Sequence, residues 1–132
     1  MDIEKIKIFI VDDDPLFLKS LEMDFRQNSD FEIEIFPTGE LCLANLWRKP
    51  DVIILDFFLS SIVKDAMNGM MILDKIKKID PAIPVVMLSV SADQIRLGVE
   101  LVDHEAFDFV VKNKFSFARL QTILTLIFKQ SE

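Results

Sequence analysis

Residues 6–17 read IKIFIVDDDPLF. An almost wholly apolar run, interrupted by Lys7, stops at three consecutive aspartates, and a proline follows at once. Ile, Val and Phe in a run of this length favour a strand, and a strand apolar on both sides belongs in the middle of a sheet. Pro15 suits the first turn of a helix, where its missing N–H costs nothing. The segment therefore reads as a buried strand, a tight acidic turn and a helix. Neighbouring carboxylates repel, and desolvating them is costly unless something positive sits among them. The acidic turn is either solvated or holds a cation.

The same grammar recurs along the chain. Apolar runs at Ile6–Val11, Phe31–Phe36, Val52–Leu55, Val85–Leu88 and Phe107–Val111 predict five strands. Between them lie stretches with helical spacing. Phe17, Leu21 and Phe25 fall four apart behind Pro15, and a second helix is expected from Thr38, a candidate N-cap, to Trp47. A third runs from Met70 to Ile79 and stops at Asp80-Pro81. A fourth covers Asp93 to Val102, and a fifth runs from Ser116, another candidate cap, to Phe128. Strict alternation of strand and helix predicts a doubly wound α/β domain with a parallel sheet. Strand 2, FEIEIF, carries Glu32 and Glu34 in alternation and suits an edge.

Composition sets bounds on function. The 132 residues suffice for one domain with a proper core, expected to span 1–132. Half of them (51%) are hydrophobic, with only 3 Gly and 5 Pro, which argues against disorder. A net charge of −7 disfavours direct contact with nucleic acid or an anionic membrane. One cysteine excludes an intramolecular disulfide and a multi-cysteine zinc site. No run approaches a membrane span and none resembles a signal peptide, so a cytoplasmic location is expected.

In a doubly wound sheet, ligands gather at the carboxyl ends of the central strands. Here strand 1 ends in Asp12, Asp13 and Asp14, strand 3 in Asp56, strand 4 in Ser89 and strand 5 in Lys112. Several carboxylates in one place suit a hard cation such as Mg²⁺. A carboxylate beside such a cation can attack phosphorus while the lysine neutralises the phosphoryl oxygens.

Five motifs in this order, IFIVDDDP, VIILDFFL, VVMLS, FDFVV and the Lys112 that follows, make the chain resemble the receiver domain of two-component response regulators. The resemblance covers essentially the whole chain and implies a flavodoxin-like (β/α)5 fold with strand order 2-1-3-4-5. It makes Asp56 the phospho-acceptor, served by a phosphohistidine on a sensor histidine kinase or histidine phosphotransfer protein. It assigns Mg²⁺ to Asp13, Asp56 and the backbone carbonyl of Phe58, with Asp12 acting through water. Lys112 would pair with the phosphoryl group, Ser89 would move to hydrogen-bond it, and Phe109 would turn inward. The surface of the fourth helix, fifth strand and fifth helix would change for a downstream protein target, with a phosphorylation-dependent homodimer as one outcome. Such a domain transfers phosphate only to and from itself, and is not otherwise an enzyme. Phe58 and Ser91 would flank the hydrolytic water, and neither positions it, so slow loss of phosphate is expected.

Leu59-Ser60 stand where the family has Met-Pro, and Gly69 comes late, thirteen residues after Asp56, so residues 60–68 read as a lengthened loop. Asn113 replaces a proline that the family holds in a cis peptide, a bond that costs a non-proline residue about 3 kcal/mol. Asp14 is read as a helix cap, Cys42 as buried packing and His104 as a surface residue. Phe109, Leu97 and Leu101 each admit a plain core reading. Two other functions compete. A haloacid-dehalogenase-like phosphatase would also use Asp-x-Asp, Ser89 and Lys112, but it needs acids after the lysine, where only Glu132 occurs. A receiver that is never phosphorylated would act as a binding module.

Overall fold

A computed structural model describes residues 5–57, 59, 68–90 and 105–129. Among these, five parallel strands form one sheet: β1 (Ile6–Val11), β2 (Phe31–Phe36), β3 (Val52–Asp56), β4 (Val85–Ser89) and β5 (Asp108–Val111). Their order is β2-β1-β3-β4-β5, as the resemblance implied, with β2 at an edge. The helices are α1 (Pro15–Arg26), α2 (Gly39–Ala44), α3 (Gly69–Ile79) and α4 (Ser116–Lys129), with a 3-10 turn at Leu46–Arg48. α4 is the last of the five helices expected. The fourth, Asp93–Val102, lies outside the described residues, as do Leu97, Leu101 and His104.

Side chains alternate across a strand, and the two faces of this sheet build two cores. Phe9, Val11, Ile53, Leu55, Val85 and Met87 pack with Cys42 of α2 and with Ile72, Leu73 and Ile76 of α3. Ile8, Ile10, Val52, Ile54, Val86, Leu88 and Val110 face the other way, onto Leu18, Leu21 and Phe25 of α1 and Leu120, Ile123 and Leu124 of α4. Phe25 is wholly buried and meets Phe117 edge-on, with ring centroids 4.9 Å apart. Burying a side chain of this kind stabilises the fold by about 1.5–3 kcal/mol. Cys42 is buried, and desolvation pushes its thiol up to about 12, which fits packing and leaves little thiolate.

The helix starts follow local chemistry. Asp14 Oδ1 accepts from the N–H groups of Leu16 and Phe17, and Pro15 occupies the first turn. Thr38 Oγ1 accepts from Leu41 N, and Asn68 Oδ1 accepts from Met71 N. Ser116 differs from expectation. It is the first residue of α4, and its hydroxyl accepts from Asn113 N and contacts the carbonyls of Val111 and Asn113. The second helix also differs, ending at Ala44 instead of Trp47. Asn45 donates its side-chain amide to Leu41 O, and the chain tightens into the 3-10 turn. Lys49 then takes a left-handed conformation (φ 55°). Pro50 disfavours the right-handed helical region there, so the 3-10 turn stops at this point.

Candidate functional site

Parallel register brings the strand ends level. Val11 pairs with Leu55, Asp56 with Leu88, and Leu88 with Val110. Asp12, Asp56 and Lys112 each lie two residues beyond a position that faces α1 and α4, namely Ile10, Ile54 and Val110. Period-two alternation therefore turns all three toward that side, and their side chains meet. Lys112 Nζ lies 2.7 Å from Asp12 Oδ2 and 3.3 Å from Asp56 Oδ2. Asp12 Oδ1 accepts from the backbone N–H of Asp14 at 2.9 Å, which fixes the turn.

Asp12, Asp56 and Ser89 are buried, while Asp13 is half-buried. Carboxylate oxygens of Asp12, Asp13 and Asp56 lie within 4.8 Å of one another. All three donors are hard oxygens, the set that Mg²⁺ accepts while keeping several waters, so the residues fit that ion. The electrostatics point the same way. Desolvation, then the charges of Asp12 and Asp13, outweigh Lys112 and push the Asp56 carboxyl up to about 7. Burial raises Asp12 as well, against the pull of Lys112. Burial works against the Lys112 ammonium, but its bonds and charge interactions with Asp12 and Asp56 prevail and hold it above its usual range. Clustered acids that resist ionisation describe a site short of positive charge.

Ser89 ends β4 with its hydroxyl buried and without a hydrogen-bond partner among the described residues. A buried hydroxyl left unmatched costs about 1–3 kcal/mol, and an oxygen-rich group arriving at the site would relieve it. Its carbonyl accepts from Lys112 N at 2.7 Å, joining the ends of β4 and β5. Phe109 is half-buried and packs against the core shared with α2 and α3. Asp14 is a cap and lies outside the carboxylate group. Phe58, Ser91 and most of the lengthened loop lie outside the described residues. No cis peptide bond occurs among those described, including the bond between Lys112 and Asn113.

Two residues have contacts at the site that the sequence did not reveal. The first is Gly69, whose late position was legible. Its N–H donates to Phe57 O at 3.1 Å, and a Cβ there would lie 2.4 Å from Asp56 O and 2.7 Å from Phe57 O. The first residue of α3 thus lies in backbone contact with the end of the acceptor strand, and only glycine fits. Gly69→Ala is expected to lower the unfolding free energy by about 2–4 kcal/mol, measured by denaturant unfolding. Gly39→Ala should cost less, because its Cβ meets the side chain of Ile72, which can shift. Equal losses would show that the backbone at Gly69 yields freely. The second is Phe17, whose ring centroid lies 4.9 Å from Lys112 Nζ. Its place in the first turn of α1 was legible, but its partner was not.

The chain matches the model of the response regulator receiver domain over residues 8–125. It is similar to chemotaxis protein CheY of Listeria monocytogenes serovar 1/2a, with 30% identity over 109 residues covering 81% of this chain and 86% of that protein. It is also similar to a protein-glutamate methylesterase/protein-glutamine glutaminase of Clostridium acetobutylicum, 34% identical over 119 residues, 86% of this chain and 32% of that protein. In fold it is similar to the crystal structure of the receiver domain of NtrX from Brucella abortus, with TM-score 0.78 and 27% identity over 92% of this chain and 98% of that one. The chain spans about a third or less of the first curated relatives it matches (32%, 29% and 26% of their lengths). The chain belongs to the response regulator receiver domain family, a family of signalling domains in two-component systems. Membership leaves the phosphatase reading without support. Among the described residues, no helix is long and apolar enough to cross a membrane.

Proposed function

We propose that the domain, with residues 1–132 acting as one receiver, accepts a phosphoryl group on Asp56 from a phosphohistidine of a sensor kinase or phosphotransfer partner. The observation that carries this reading is the meeting of Asp56 with Lys112 at 3.3 Å inside a group of three carboxylates. A carboxylate oxygen of Asp56 attacks phosphorus, the P–N bond to the partner's imidazole breaks, and a mixed acyl phosphate results. Held near pKa 7, Asp56 is only partly ionised at neutral pH and is a poor nucleophile. A divalent cation held by Asp13, Asp56 and, by resemblance, Phe58 O, with Asp12 acting through water, would favour its ionised form. Bound Mg²⁺ would supply neutralisation of charge on the transferring oxygens.

Lys112 then exchanges its bond to Asp56 for one to the phosphoryl group. The unmatched hydroxyl of Ser89 gains an acceptor, and its movement frees room for Phe109 to turn inward. The α4–β5 face, with the segment preceding β5, is thereby altered for a downstream protein partner or a second copy of the chain. The test is intact-mass measurement after incubation with a small phosphodonor and Mg²⁺. Stable gain of one phosphoryl group on Asp56 is the expected result. Continuous release of phosphate without a stable adduct would mean a phosphatase. Neither would mean a receiver that only binds.

A further inference from the structure

We infer that Phe17 is a positioning residue for Lys112, holding the ammonium over its ring while the charges around it change. The inference rests on the phospho-acceptor reading above. Lysine carries four rotatable side-chain bonds, and ordering it costs about 1.5–2 kcal/mol of rotamer entropy. In the structure its Nζ meets two carboxylates and one ring, that of Phe17, at 4.9 Å. The ring is placed by local chemistry. Pro15 opens α1, Asp14 Oδ1 caps the N–H of Phe17, and helical side chains lean toward the helix N-terminus. That lean carries the half-buried ring back over the acidic strand end.

An aromatic holder has a property that a further carboxylate lacks. The ring face attracts a cation through its quadrupole, yet it adds no net charge. It therefore cannot compete with Asp12, Asp13 and Asp56 for a divalent ion, and it does not repel an incoming phosphoryl group. A divalent cation drawing on Asp12 and Asp56 would weaken the two ion pairs of Lys112. The contact with Phe17 does not depend on the charge of either carboxylate, so it persists through that exchange. The ammonium stays where the phosphoryl oxygens will arrive. With Lys112 only 11% exposed, the attraction is poorly screened.

Progressive fluorination tests this without changing the shape of the side chain. Phenylalanines bearing one, two and three ring fluorines are installed at position 17, and each protein is treated with phosphoramidate and Mg²⁺. The rate of phosphorylation should fall stepwise with the weakening ring, to about three- to tenfold below wild type at three fluorines. Thermal midpoints should stay together. Phe17→Trp should keep the wild-type rate, and Phe17→Leu, apolar and uncharged, should match the most fluorinated ring. A second readout needs neither metal nor phosphate. The ε-methylene protons of Lys112 should show an upfield ring-current shift that Phe17→Leu removes. Flat rates across the series, in a chain that does take up phosphate, overturn the inference alone. So does the absence of a ring-current shift. A wild-type chain that takes up no phosphate overturns the phospho-acceptor reading, and the inference falls with it.

Discussion

Asp56→Asn should show no detectable uptake of phosphate, while the apo protein becomes more stable near neutral pH. The amide keeps the shape of the side chain and removes the nucleophilic oxygen, so the first effect is complete loss. Intact mass reads it directly. Continued modification of the Asn variant would move the acceptor elsewhere, Asp13 being next. The second effect follows from linkage. The folded-state pKa of Asp56 is raised to about 7 from the ordinary 3.8, chiefly by desolvation. The folded protein then holds a proton that the unfolded chain has already released, so stability falls as pH rises between those two values. At about pH 7.5 the asparagine variant should gain about 1–3 kcal/mol in chemical denaturation, because the uncompensated charge is gone. At about pH 5 the gain should be smaller, and it should approach zero only below about pH 4, where the unfolded chain holds the proton as well. Lys112 keeps its 2.7 Å bond to Asp12 in the variant, so the substitution strands no ammonium. A gain that is equal at both pH values would show that the effect has nothing to do with the charge on Asp56.

Mg²⁺ should raise the thermal midpoint by roughly 10 °C at a concentration about a hundredfold above its dissociation constant. Only the folded chain gathers Asp12, Asp13 and Asp56 within 4.8 Å, so binding favours folding by mass action. Scanning calorimetry of three proteins with and without the ion decides which acids matter. Asp13→Ala should remove most of the shift. Asp14→Ala should keep it while lowering the baseline midpoint, because Asp14 caps α1 through Leu16 N and Phe17 N. Losing such a cap costs about 1 kcal/mol. If Asp14→Ala abolishes the shift and Asp13→Ala spares it, the acidic pair lies one residue further along, at Asp13 and Asp14. The same titration in Asp56→Asn should give a smaller shift than in wild type, since one charged oxygen donor is lost.

Local chemistry made much of this protein readable in its sequence. Runs of Ile, Val and Phe marked each of the five strands to within a residue, as continuous apolar stretches in the central strands and as period-two alternation in β2 at the edge. Asp14, Pro15 and Thr38 act as helix starts, and Asp80 ends α3, through bonds to residues at most four away. Alternation of strand and helix implied the layers, and the layers implied that Asp12, Asp13, Asp56, Ser89 and Lys112 share one edge. Where a competing local effect won, the reading slipped. The second helix gave way at Asn45 to a 3-10 turn, and Ser116 is the first residue of its helix where a cap was expected.

Other properties depend on distance in space and could not be read from the sequence. Nothing near position 17 or 112 in the chain signals that the Phe17 ring lies under the Lys112 ammonium. That contact needs the parallel register of β5 on β4 and the lie of α1 across the same face. Likewise Gly69 is a glycine because the backbone of Asp56 and Phe57 passes too close for a Cβ. The raised pKa of Asp56 arises because its carboxyl is desolvated beside the charges of Asp12 and Asp13, with one lysine to answer them. Pattern along the chain determined which groups reach the sheet edge, since periodicity and capping act over a few residues. Tertiary packing decided how they meet, because distance and desolvation are set only when elements remote in sequence close around the same point.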